Sequence, residues 1–235
     1  MTFIDDLSII TDLLILVPCL VFYTGFMVWL NMRKKDVPRA QAHLREGGIM
    51  LGILGAVIGV YALVGSLTWP LNVTVTLPSG PTNVLASYDL FFFDVLVLLS
   101  VLLVAFGVSV ALRLPTHFVG MMAVVIGFGV GFYGYRGYTM SPALTLDPLQ
   151  TFLLYLAFGG MAIFSYPATL YVDWFVNGPT KPESSPLASD PTPRAQYRWM
   201  WIILIGIFLA VAVLAGIAAV WYGFDIGWAH LAAPP

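Results

Sequence analysis

The sequence predicts an all-α, polytopic bundle of six transmembrane helices with both termini on the outer side. Three observations carry that prediction. Of 235 residues, 60% are hydrophobic and only 9% are charged, against about 25% charged in an ordinary soluble domain. Six continuous apolar runs each reach the ~20 residues a helix needs to cross the hydrocarbon of a bilayer. The basic residues collect in every second gap between those runs. So few charges cannot clothe a soluble core of this size. Lipid on the outside removes the need for them.

The spans fall at residues 9–30, 48–68, 90–112, 118–138, 149–172 and 199–222, within a single transmembrane domain covering 1–235. Helices are expected rather than strands because the runs are continuous and do not alternate. A helix also pairs its own backbone groups, which lipid cannot do. The first span is not expected to be a cleavable signal, which would carry basic residues before its apolar stretch. Here Asp5, Asp6 and Asp12 come first, and Arg33, Lys34 and Lys35 follow. It reads as an uncleaved anchor with its N-terminus outside.

The gaps give the orientation. Gap one holds Arg33, Lys34, Lys35, Arg39 and Arg45, gap three holds Arg113, and gap five holds Lys181, Arg194 and Arg198. Only Arg136, inside the end of span four, lies elsewhere. The positive-inside rule assigns the basic gaps to the cytoplasm. Both termini are then extracellular, and the chain is expected in the cell membrane.

The connections differ in character. Gap two, 69–88, has an alternating stretch followed by Pro78-Ser79-Gly80-Pro81, and predicts a short external hairpin capping the bundle. Its Asn72-Val73-Thr74 sequon lies so near the membrane that no glycan is expected on it. Gap five, 177–196, has five prolines and several serines and reads as a flexible cytoplasmic linker. Gap one predicts a short basic interfacial helix, attracted to anionic headgroups.

Glycines at four-residue spacing let helix backbones approach closely in a membrane. Span two carries Gly48, Gly52, Gly55 and Gly59; span four carries Gly127, Gly131 and Gly134. Spans two and four are therefore expected to be interior or tightly paired. Pro18 and Pro167 sit within spans one and five and predict kinks.

Ionisable groups at membrane depth are the first candidates for function. Asp94 lies inside the outer half of span three and Arg136 near the outer end of span four. Asp89 and Asp147 stand at the outer mouths of spans three and five. One layer holds all four, with Tyr133 and Trp69 nearby, and an Asp–Arg cluster is expected there. Simpler roles compete. Asp147 before Pro148 suits a helix cap, as does Asp89. The tyrosines suit an interfacial belt, and Arg136 suits snorkelling to headgroups. No capping role fits Asp94.

The missing residue types narrow the chemistry. His43, His117 and His230 are the only histidines, and none is mid-span, so haem held between two intramembrane histidines is not expected. No Cys/His/Asp/Glu spacing suits zinc or copper. No phosphate loop or dinucleotide fingerprint follows a strand, and no nucleophile has a histidine in reach. No catalytic residue, metal or cofactor is expected. Lone Cys19 reads as a small packing residue, and a net charge of −2 gives no sign of a nucleic-acid partner.

At Leu67-Thr68-Trp69-Pro70-Leu71, Tyr133-x-x-Arg136-Gly137-Tyr138 and Tyr166-Pro167-Ala168-Thr169-Leu170 the chain resembles an uncharacterised family of multi-pass membrane proteins, known mainly from archaea and some bacteria. The resemblance covers roughly residues 48–173. The family is a domain of unknown function and implies no reaction. It draws attention to the outer layer, where Trp69 and Arg136 both lie.

Three functions fit these readings. The first is an accessory subunit of a larger membrane assembly, respiratory or otherwise oxidoreductive, with other integral membrane subunits as partners. The second is a small transporter, channel or proton-linked carrier using the Asp–Arg layer. The third is a lipid- or quinone-binding protein.

Overall fold

The structure, a computed structural model, describes residues 6–68, 75–77, 80–82, 84–140, 148–177 and 198–232. Six long helices dominate it: α1 (Asp6–Arg33), α2 (Val37–Thr68), α3 (Val84–Ala111), α4 (His117–Met140), α5 (Pro148–Tyr171) and α6 (Arg198–Ala232). All six are long and apolar enough to cross a membrane. Between α2 and α3, β1 (Val75–Leu77) and β2 (Gly80–Thr82) pair antiparallel, with Val75 opposite Thr82 and Leu77 opposite Gly80. This two-stranded ribbon falls in the gap where the alternating stretch predicts a hairpin. A π-helical turn, Val172–Val176, prolongs α5.

The helices form an up-and-down ring. Each packs against the next in sequence, and α6 returns to α1. The α2–α3 and α4–α5 seams are the most extensive, and the α3–α4 seam is the thinnest of the six. Spans two and four therefore pair with three and five rather than with each other.

Glycine makes the tight seams possible. A Cβ on Gly107 of α3 would stand 2.7 Å from the Gly52 Cα of α2, and one on Gly55 would stand 2.5 Å from the Leu103 Cβ. Gly48 faces Val110, and Gly59 faces Ser100. Across the other seam, Cβ atoms on Gly127 and Gly159 would each come within 2.7 Å of the opposite glycine's carbonyl oxygen. Gly134 backs onto Tyr155. Gly131 differs: its backbone approaches Gly159, but its missing Cβ points into open space.

The first gap is shorter than the sequence suggests. No separate interfacial helix forms. Residues 37–47 instead extend α2 to 32 residues, about 48 Å at 1.5 Å per residue. That exceeds the ~30 Å of hydrocarbon, so the basic first turns of α2 project beyond the apolar layer. Asp36 starts this helix, its Oδ1 accepting from the Arg39 N–H at 3.1 Å. The turn before it closes with Lys35 at φ 61°, the Lys35 N–H donating to Met32 O and the Asp36 N–H to Asn31 O.

Hydrogen bonds draw gaps one, three and five to one end of the ring. Gln41 near the start of α2 donates to Val176 O at 2.6 Å. Thr116 and His117, at the start of α4, donate to Asp173 beyond the end of α5. This basic end also carries Arg33, Arg39, Arg45 and Arg113. At the opposite, distal end, Gln150 of α5 donates to Asp225 of α6 at 2.7 Å.

Candidate functional site

Among the described residues, Arg136 and Asp94 do not come together as an ion pair. Arg136 is exposed, with its guanidinium 6.0 Å from the Phe132 ring one turn earlier on α4. That places it on the stripe of Val125, Phe128 and Phe132, which faces away from the bundle. Asp94 is also exposed, beside the fully buried Phe93. No ion pair joins Arg136 to Asp94; among the described residues the ion pairs are His43–Glu46 and His117–Asp173. The cause is the helical screw, which turns both charged positions outward while Phe93 and Val130 turn inward. Tyr133 packs partly against the core. Trp69 and Asp147 lie outside the described residues, as does the side chain of Asp89.

A polar constellation that sequence reasoning misses lies at the basic end. Asp173 Oδ1 accepts from the Thr116 N–H and from the Thr116 hydroxyl, both at 2.9 Å. Its Oδ2 accepts from the His117 N–H at 2.9 Å and from His117 Nδ1 at 2.8 Å. Thr116 is fully buried. The arrangement follows from the start of α4, where the first backbone N–H groups have no partner within the helix. A carboxylate from a neighbouring element supplies the acceptors and complements the positive end of the helix dipole. The π-helical turn carries Asp173, with its own closing bond from the Asn177 N–H to Val172 O at 2.9 Å. Proline-led Thr116-His117 signals a helix start in sequence, but nothing local points to a cap supplied 56 residues later.

Inside the ring, in the half nearer the basic end, lies a cavity of about 150 Å³. All six helices line it: Val21 from α1, Leu51 from α2, Phe106 from α3, Ala123 from α4, Met161 from α5 and Phe208 from α6. Two of the three serine and threonine hydroxyls in its wall are turned to backbone acceptors, and the third, on Thr24, is buried without a partner among the described residues. Ser165 donates to Ala162 O and Thr169 to Tyr166 O. The Thr24 hydroxyl is packed against Gly47, where even a Cβ would collide with it. Apart from the Thr24 hydroxyl, the chamber presents hydrocarbon. A dry apolar cavity of this size accepts a benzene-sized group. It lacks the convergent polar groups expected of a catalytic pocket.

Six helices of this length and apolarity, closed around a carbon-lined chamber, define a multi-pass membrane protein. The family model described as "Protein of unknown function (DUF981)" matches residues 1–233, and the chain belongs to that family. The match runs through the proline-rich linker and the whole of α6. This corrects the narrower 48–173 stretch suggested by the short motifs. No curated protein and no solved structure matches the chain.

Proposed function

We propose that this protein binds the hydrocarbon chain of a membrane lipid within its helical ring, and that it acts in the cell membrane. The observation that carries the reading is the chamber of about 150 Å³ at the centre of the ring. Its size suits several methylenes or one isoprenoid unit, and its lining is almost wholly carbon. A quinone ring is a poorer fit, because its two carbonyl oxygens would find only Thr24 as a serine or threonine donor, Ser165 and Thr169 directing their hydroxyls elsewhere. A chain end loses nothing by entering carbon-lined space and gains dispersion contacts there.

The test is purification in mild detergent followed by lipid extraction and mass measurement. Wild-type protein should retain a chain-bearing amphiphile in about stoichiometric amount. Val21→Phe and Ala123→Phe fill the chamber from opposite walls. Each should release the amphiphile while the helical content and elution volume stay unchanged. Wild-type protein that carries no amphiphile, or filled variants that retain it, would overturn the reading.

A second reading, as an accessory subunit of a larger membrane assembly, draws support from Arg136. A guanidinium on an exposed stripe with Phe128 and Phe132 suits a carboxylate on a neighbouring subunit. Stoichiometric co-purification of a second membrane protein, lost in Arg136→Ala, is its expected signature.

A further inference from the structure

We infer that the bound lipid has an anionic headgroup, held at the basic end by Arg33 above the ring of Trp29. This rests on the chain-binding reading above and adds the chemistry of the head. Trp29 is the link between the two regions. It lines the chamber, and the Arg33 guanidinium lies over its ring, 4.9 Å from the centroid. One aromatic side chain thus touches the apolar cavity and carries a cation.

Arg33 has no carboxylate among the described residues to neutralise it. Neither described ion pair includes it. The nearest acidic residue in sequence, Asp36, caps α2 through the Arg39 N–H. Stacking on Trp29 leaves the guanidinium edge available, since a cation over an aromatic face is held through its plane. That edge carries N–H donors in a planar fork, which matches the oxygens of a phosphate. Arg33 also closes the last turn of α1, where the hydrocarbon span ends and headgroups begin. A lipid chain in the chamber and a phosphate at Arg33 therefore belong to one molecule crossing the same boundary.

The experiment is native mass spectrometry of the full chain. The protein is released from micelles doped equally with phosphatidylglycerol and phosphatidylcholine of the same chain length. One favourable basic contact predicts about fivefold more phosphatidylglycerol adduct. Arg33→Gln should bring the ratio near one without removing the adducts, and Arg33→Lys should restore part of the preference. Val21→Phe should remove both adducts. Equal adducts on the wild type, or a preference that survives Arg33→Gln, would overturn the inference and leave chain binding standing. A phosphatidylglycerol preference that persists in Val21→Phe would also overturn it, since the lipid would then lie outside the chamber. Absence of any adduct on the wild type would remove the chain-binding reading itself.

Discussion

Asp173 joins two helices through one carboxylate. It offers acceptors to two backbone N–H groups, one hydroxyl and one imidazole, all within 2.8–2.9 Å. Substituting Asp173→Ala leaves Thr116 buried with its N–H unpaired, and should cost about 3 kcal/mol by the usual penalty for stranded donors facing a lost charge. Thermal unfolding in detergent reads that loss, and His117→Ala should cost distinctly less because the backbone contacts remain. An unchanged midpoint for Asp173→Ala would show that this carboxylate does not hold α4. At this scale the sequence is a partial guide. Asp94 and Arg136 attract attention because charge is rare in a span, but rarity does not say which way a side chain points. Asp173 escapes attention because it stands at a span's edge, where a charge is ordinary. Its role depends on Thr116 and His117 arriving beside it, and that is a tertiary fact.

Among the elements, helix ends show how charge and backbone geometry compete. Arg113 follows α3 at φ 57°. Its N–H bonds Val110 O and the Leu114 N–H bonds Ser109 O, a pairing that normally places glycine at the left-handed position. Lys35 occupies the same position after α1. Both turns carry a strained basic residue where glycine would be relaxed. Arg113→Gly should therefore raise the unfolding temperature by about 2 °C, the difference between relieved strain and greater freedom in the unfolded chain. A lowered temperature would mean that the Arg113 side chain makes stabilising contacts of its own. The helices were legible as apolar runs, and two of the spaced glycines, Gly52 and Gly127, lie at close approaches between helices. Which helix would approach was not legible, because the partner glycines, Gly107 and Gly159, belong to no four-residue repeat of glycines in their spans.

For the whole molecule, the number of spans is legible and the ring with its chamber is not. The reason is solvent. In water, an amphipathic pattern separates core from surface. In lipid, both sides of a helix are apolar, and the pattern vanishes. Val125 and Phe224 are 73% and 75% exposed, while Val17 and Phe93 are at most 2% exposed; no property of the residue type distinguishes the pairs. What survives is the asymmetry of charge along the bundle axis. Arg33, Lys34, Lys35, Arg39, Arg45 and Arg113 gather at one end, because hydrogen bonds from Gln41 and Thr116 tie the connections there together. Moving such an end through a bilayer would expose each cation to hydrocarbon, at about 2.5–3.5 kcal/mol apiece by insertion scales. The basic end should therefore face the cytoplasm, with both chain termini outside. In a Cys19→Ser background, Thr2→Cys and Ala233→Cys should react with a membrane-impermeant maleimide on intact cells. Ser185→Cys, in the proline-rich linker, should react only after permeabilisation. The reverse labelling pattern would place Arg33 against the outer leaflet, and the lipid it selects would then have to come from that side.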